Sequence, residues 1–220
     1  MKALFFDMDG TLINSEPLHE QAWFDTLAQF DLPLSKDWFH QWTGSTDYYL
    51  LEGIQNQFGV ALDFQALFEE KRNRFLTIAE NSPLAFEGVV QGLQYLNQSL
   101  PIILVTSSTK IGAENVLKWA NIRQYFKHII TFDDVIHPKP NPEPYLMAAK
   151  YVGFNPSECV AFEDSIAGIT AAKAAGCFTV AVTNSLSKDK LAVADLVVGN
   201  SFEMMEWASG KIDNIALVMR

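Results

Sequence analysis

Apolar residues recur along this chain in two rhythms, and the change of rhythm divides it. Ala3 to Phe6 is continuously apolar and stops on Asp7, which predicts a short strand buried on both faces. After Glu87 such runs return at Ile102 to Val105, His128 to Thr131, Cys159 to Phe162, Phe178 to Val182 and Leu196 to Val198. Helical patterns near Val89 to Gln98, Gly112 to Trp119, Pro142 to Val152 and Ile166 to Ala175 separate them. Strands alternating with helices predict an α/β fold with a doubly wound parallel sheet. The tail beyond Asn200, with Phe202, Met204, Met205 and Trp207, reads as a closing helix, and Ile212 to Arg220 as a final packing segment.

Between Asn14 and Pro83 the rhythm is helical throughout. Ser15 can cap a helix with Pro17 in its first turn, and Leu18, Ala22, Trp23, Leu27 and Phe30 give it an apolar side. Leu32-Pro33-Leu34-Ser35 is a break, with Ser35 the next cap. A short helix from Asp37 to Trp42 ends at Thr43-Gly44, and longer ones span Thr46 to Phe58 and Asp63 to Ala79. Residues 14–83 therefore read as an all-helical insert in a sheet domain built from 1–13 and 84–220.

Polar residues interrupt the apolar pattern where strands end, on the side of an open α/β sheet where ligands sit. The first strand runs into Asp7-Met8-Asp9-Gly10-Thr11. Two carboxylates so close repel unless a cation or a proton intervenes, and Gly10 permits a tight turn that can aim N–H groups at an anion. A calcium loop starting at Asp7 would need Gly and Glu where Leu12 and Leu18 stand, which excludes it. Thr106-Ser107-Ser108 follows the second strand and is either a plain helix cap or an anion site. Lys139 is either a solvated surface charge or a cation held in an extended segment by Pro138 and Pro140. Glu163-Asp164 closes a further strand, with Ser165 the cap of the next helix, and is either a pair of helix-dipole partners or a metal site. The rival pair Asp133-Asp134 reads as surface, His137 as surface or packing, and Gly168 with the following alanines as close helix packing.

The run Asp7-x-Asp9-Gly10-Thr11, then Thr106, then Lys139-Pro140, then Glu163-Asp164, resembles the ordered motifs of the haloacid dehalogenase-like (HAD) superfamily. The resemblance covers nearly the whole chain. It implies a Rossmann-like core with a helical cap that closes over the substrate, near the beta-phosphoglucomutase-like branch. It implies Asp7 as nucleophile, Asp9 as general acid and base, and Thr106 and Lys139 as stabilisers of the transferring phosphate, with Gly10, Thr11 and Ser107 lining the phosphate site. Mg²⁺ would be held by Asp7, the Asp9 carbonyl and Asp164, with Glu163 close or coordinating. His19 and Lys71 match polar cap positions of the branch; Lys71 and Arg72 could equally be solvated helix charges. The branch's mutases carry bases beside the glycine of the cap loop, and Thr43-Gly44-Ser45-Thr46-Asp47 has none. The expected activity is thus a phosphatase acting on a small phosphorylated metabolite, a sugar phosphate. A phosphomutase is the alternative; haloacid dehalogenation and a catalytically idle binding module, with Trp38, Trp42, Tyr48 and Tyr49 as a patch, are weaker. Those four aromatics read rather as cap core and pocket wall.

Composition narrows the partners. A formal charge of −10 over 220 residues disfavours nucleic acid and anionic membrane. The first apolar run is too short for a signal peptide, and no run approaches a membrane span. Two isolated cysteines, Cys159 and Cys177, suit a reducing compartment and burial. A cytoplasmic monomer or weak homodimer is expected.

Overall fold

In the computed structural model, backbone is described for residues 1–40, 42 and 47–218, and side chains for these except 36, 40 and 213–218. Strands β1 (Ala3–Phe6), β2 (Ile102–Val105), β3 (His128–Ile130), β4 (Cys159–Glu163), β5 (Phe178–Val182) and β6 (Leu196–Val198) form one parallel sheet ordered β3-β2-β1-β4-β5-β6. All pairs run parallel; helices cross between the first five strands, α5 (Val89–Leu96), α6 (Lys110–Trp119), α7 (Glu143–Val152) and α8 (Ile166–Ala175), a loop joins β5 to β6, and α9 (Ser201–Val218) follows β6. The chain moves outward from β1 to β2 and β3, then returns to place β4 on the other flank. The switch point therefore lies between β1 and β4.

Apolar residues fill both faces of β1, which explains why its run is uninterrupted. Ala3 and Phe5 share a cluster with Ile103, Val105, Tyr145 and Ala161, beneath α7 and α8. Phe6 points the other way and stacks on Phe162, which also meets Trp207 of α9 edge-on. Burying a side chain of this size contributes about 1.5–3 kcal/mol, so the sheet is anchored where the site begins.

Contacts divide the chain into two compact units, Met1–Asn14 with Leu84–Arg220, and Ser15–Pro83. The second unit is helical among its described residues: α1 (Glu16–Leu27), α2 (Lys36–His40), α3 (Asp47–Phe58) and α4 (Phe64–Glu80). Trp23, Leu27, Trp38, Phe39, Leu50, Leu51, Ile54 and Leu67 form its core. The Ser35 hydroxyl accepts from the Trp38 N–H at 3.2 Å, and the Asp63 carboxylate caps α4 by accepting from Ala66. Ser15 precedes α1 without capping it through its side chain.

The structure corrects the sequence in several places. Tyr48 and Tyr49 are 52% and 56% exposed rather than core, while Trp38 is buried. Lys139 does not lie in an extended segment. Pro138 to Asn141 forms a turn, closed by the Asn141 N–H on the Pro138 carbonyl at 3.0 Å, with the Lys139–Pro140 peptide cis. Asp133 and Asp134 are exposed, as expected; Asp134 closes a capping box with Thr131, and Asp133 accepts from the Lys110 N–H.

Candidate active site

Strand register sets the site. Phe6 pairs with Leu104 of β2 and Phe162 of β4, so Asp7, Val105 and Glu163 lie level at the ends of three adjacent strands. The Lys139 ammonium meets all three. It donates to Asp7 Oδ1 at 2.7 Å, the Val105 carbonyl at 2.7 Å and Glu163 Oε1 at 2.6 Å. The turn before α7 delivers this lysine, and its side chain is 4% exposed. Charge-assisted bonds of this length are the strong kind.

Glu163 is fully buried. Besides Lys139, its Oε1 accepts from the Tyr145 hydroxyl at 2.6 Å and its Oε2 from the Ser165 hydroxyl at 3.1 Å. The Tyr145 ring lies 5.3 Å from the Lys139 ammonium. Gly168 is not merely a packing glycine: a Cβ there would stand 1.9 Å from the Glu163 carboxyl carbon. Ser165 caps α8 by accepting from the Gly168 N–H at 3.0 Å, so the acidic pair itself does not cap the helix.

Asp164 receives the Thr11 hydroxyl on Oδ1 at 3.4 Å and the Ser185 hydroxyl on Oδ2. Asp9 takes the Ser108 hydroxyl on Oδ2 at 2.9 Å, while its buried Oδ1 has no hydrogen-bond partner. Thr106 is buried at the end of β2, and its Oγ1 accepts from the Ser108 N–H at 3.0 Å. It is not the cap of α6, a task that Thr109 performs. Ser107 is exposed beside it.

The electrostatics are out of balance. Asp7, Glu163 and Asp164 bring carboxylate oxygens within 4.8 Å of one another, and Lys139 sets one positive charge against them. Burial pushes the Asp7 carboxyl well above the usual carboxylate range; Lys139 opposes this, and Glu163 and Asp164 add to it. Burial, then the Glu163 charge, raises Asp164 to about 7 against the opposing Ser185 hydrogen bond. For Lys139 burial would lower the pKa, but Asp7 and Glu163 outweigh it and raise it. Burial and the Glu163 charge raise Tyr145, which keeps its hydroxyl a donor. Three buried carboxyls that repel one another suit a hard divalent cation with all-oxygen ligands. Mg²⁺ fits this donor set.

Of the other sequence-derived candidates, Gly10 is buried in the turn with φ of +75°. Thr11 reaches the site through Asp164. In the helical unit, His19 stacks on Phe75 at 4.1 Å between ring centroids. Lys71 is buried, not solvated: its ammonium lies 2.9 Å from Asp47 Oδ2 and 5.3 Å from the Trp23 ring centre. Arg72 is exposed. Thr43 and Gly44 lie outside the described residues. Pattern reading missed Ser108, Tyr145, Asn184 and Ser185, although Ser108 stood inside the hydroxyl run already singled out.

A strand-end acidic loop, a lysine turn and a buried acidic pair around one switch point define a class of hydrolase. Residues 1–176 match the family model for haloacid dehalogenase-like hydrolases, and the chain belongs to that family. The fructose-1-phosphate phosphatase YqaB of Escherichia coli (strain K12) is 34% identical, covering 79% of this chain and 92% of that protein. Beta-phosphoglucomutase of Bacillus subtilis (strain 168) is 28% identical, covering 93% and 92%. The crystal structure of a putative beta-phosphoglucomutase from Thermotoga maritima superposes with a TM-score of 0.81 at 25% identity, covering 98% and 100%.

Proposed function

We propose that this chain is an Mg²⁺-dependent phosphatase that hydrolyses a small phosphorylated metabolite of the sugar-phosphate class through an aspartyl-phosphate. The observation that carries this reading is the Asp7–Lys139–Glu163 contact, with Asp164 beside it, at level strand ends. Uncatalysed phosphate-monoester hydrolysis is among the slowest known reactions, with acceleration up to about 10²¹-fold, so several groups must act together. An Asp7 carboxylate oxygen attacks phosphorus as the ester P–O bond breaks, and Asp9 gives its proton to the leaving oxygen. Asp9 then takes a proton from a water that attacks the phosphorus of the aspartyl-phosphate, releasing inorganic phosphate and restoring Asp7. Lys139, Thr106, Ser107 and backbone N–H groups of loop residues 8–11 receive the phosphoryl oxygens, except the Gly10 N–H, which donates to the Ile13 carbonyl at 2.8 Å. Bound by Asp7, Asp164 and the Asp9 carbonyl, with Glu163 near, Mg²⁺ would neutralise charge on the transferring group.

The phosphomutase is the second reading, and the beta-phosphoglucomutase relative favours it. A mutase must grip a second phosphate, yet the charge of Lys71 is already met by Asp47. This supports hydrolysis. His19 and Lys71, with Thr43 and Gly44, belong to the proposal as substrate-selecting residues of the cap. A cytoplasmic monomer or weak homodimer completes it, in keeping with two free buried cysteines. Among the described residues no helix is long and apolar enough to cross a membrane.

The test is phosphate release with Mg²⁺ across a panel of sugar phosphates, with Asp7→Asn alongside. Release that disappears in the variant is expected. Isomer interconversion primed by a bisphosphate, without release, would establish the mutase instead.

A further inference from the structure

The segment after β5 reaches the site at points that no sequence motif marks. The Asn184 side-chain amide donates to the Gly10 carbonyl at 2.8 Å and lies 2.7 Å from the Ser201 hydroxyl, which donates to the Thr11 carbonyl at 2.6 Å. Next along the chain, the Ser185 hydroxyl donates to Asp164 Oδ2. Gly10 lies against the same group: a Cβ on it would stand 2.0 Å from Asp164 Oδ2 and 2.4 Å from Ser185 Oγ. Two adjacent residues thus tie both the nucleophile loop and the metal-site carboxylate to the end of β5.

Packing does not explain their placement. Both residues also line an open cavity of about 620 Å³, with Thr183, Ser187, Lys188 and Glu203 among others. Polar contacts with the site hold these side chains. A hydrogen bond that orients a ligating carboxylate is worth about 10–100-fold in metal affinity or activity.

We propose that Asn184 and Ser185 are positioning residues: Ser185 aims Asp164 for the metal, and Asn184 fixes the carbonyl path that aims Asp7 and Asp9. This rests on the phosphatase reading above. The experiment measures Mg²⁺ binding by calorimetry without substrate, then kcat and KM for phosphate release at saturating Mg²⁺, for native chain, Ser185→Ala, Ser185→Thr, Asn184→Ala and Asn184→Asp. Ser185→Ala should weaken Mg²⁺ binding about 10–100-fold, and Ser185→Thr should restore it. Both Asn184 variants should lose kcat about 10-fold or more with KM little changed, since neither offers a donor to the Gly10 carbonyl. Native Mg²⁺ affinity in Ser185→Ala, or a loss that Ser185→Thr does not restore, would overturn the role of Ser185. An unchanged kcat in Asn184→Ala would overturn that of Asn184. A native chain that binds Mg²⁺ but releases no phosphate would sink the phosphatase reading instead, and the Ser185 comparison would still decide the positioning claim.

Discussion

Each of the two units buries a lysine ammonium, and the two differ in how that charge is balanced. In the helical unit the Lys71 side chain is 9% exposed, over Trp23, and meets one carboxylate, Asp47, whose own side chain is 47% exposed. Asp47 also accepts from the Trp23 indole N–H at 2.9 Å. That pair is neutral. In the sheet unit Lys139 touches Asp7, Glu163 and a backbone carbonyl, with Asp164 adding a third carboxylate to the group. Burial and mutual repulsion raise Asp7 and Asp164 here, so the cluster can ionise fully only with a further positive charge that folding does not supply. Balanced charge stabilises a fold; unbalanced charge marks where a ligand completes it.

Removing Lys139 is the harshest way to test the contrast. Lys139→Met leaves buried carboxylates without their cation and should destabilise the protein by about 3–5 kcal/mol, read by urea unfolding, with phosphate release lost. Lys71→Met should cost less, about 1–2 kcal/mol, because water can reach Asp47. Equal losses would erase the distinction.

A smaller change sharpens the core side. Gly168→Ala should push the Glu163 carboxylate from its place at a cost of about 1–3 kcal/mol. A variant that still folds but binds Mg²⁺ poorly in calorimetry is the expected result. Tyr145→Phe removes one donor from Glu163 and should cost about 1 kcal/mol, read by the same unfolding assay.

The smallest effect concerns pH. Burial would raise the Asp47 carboxyl, but the Lys71 charge and the Lys71 and Trp23 hydrogen bonds hold it below its usual value. A depressed carboxylate pKa contributes stability above the unfolded pKa of about 3.9 that is lost as pH falls through the lower folded value. The stability difference between native and Asp47→Asn should therefore be steady at pH 5–7 and shrink below about pH 4. A difference that grows with acid would contradict the pair.

How much of this the sequence held depends on how local each signal is. Strand ends were legible because a buried run that stops on Asp7, Thr106 or Glu163 breaks its own pattern. The parallel sheet followed from the alternation of strands and helices. Lys139 was marked by its prolines, although they build a turn rather than an extended arm. Tyr145, Asn184 and Ser185 were not legible, because each meets its partner across the sheet and sits in an unremarkable local context. Gly168 looked like packing since nothing local shows that a carboxylate fills the space above it. Lys71 looked half solvated because its partner Asp47 stands on another helix, and helical spacing does not report such pairs. Tyr48 and Tyr49 fell on the outward side of α3, where aromatic character alone gave no direction.

The central claim is that the crowded carboxyl cluster around Lys139 holds a nucleophile, Asp7. The most direct measurement is to quench a turnover mixture with borohydride, which reduces an aspartyl-phosphate to homoserine, and to locate the product by peptide mass spectrometry. Homoserine at position 7 in the native chain, and at no position in Asp7→Asn, is the expected result. Homoserine at position 9, or rapid phosphate release with no reduced residue under conditions that trap other acyl phosphates, would contradict the account.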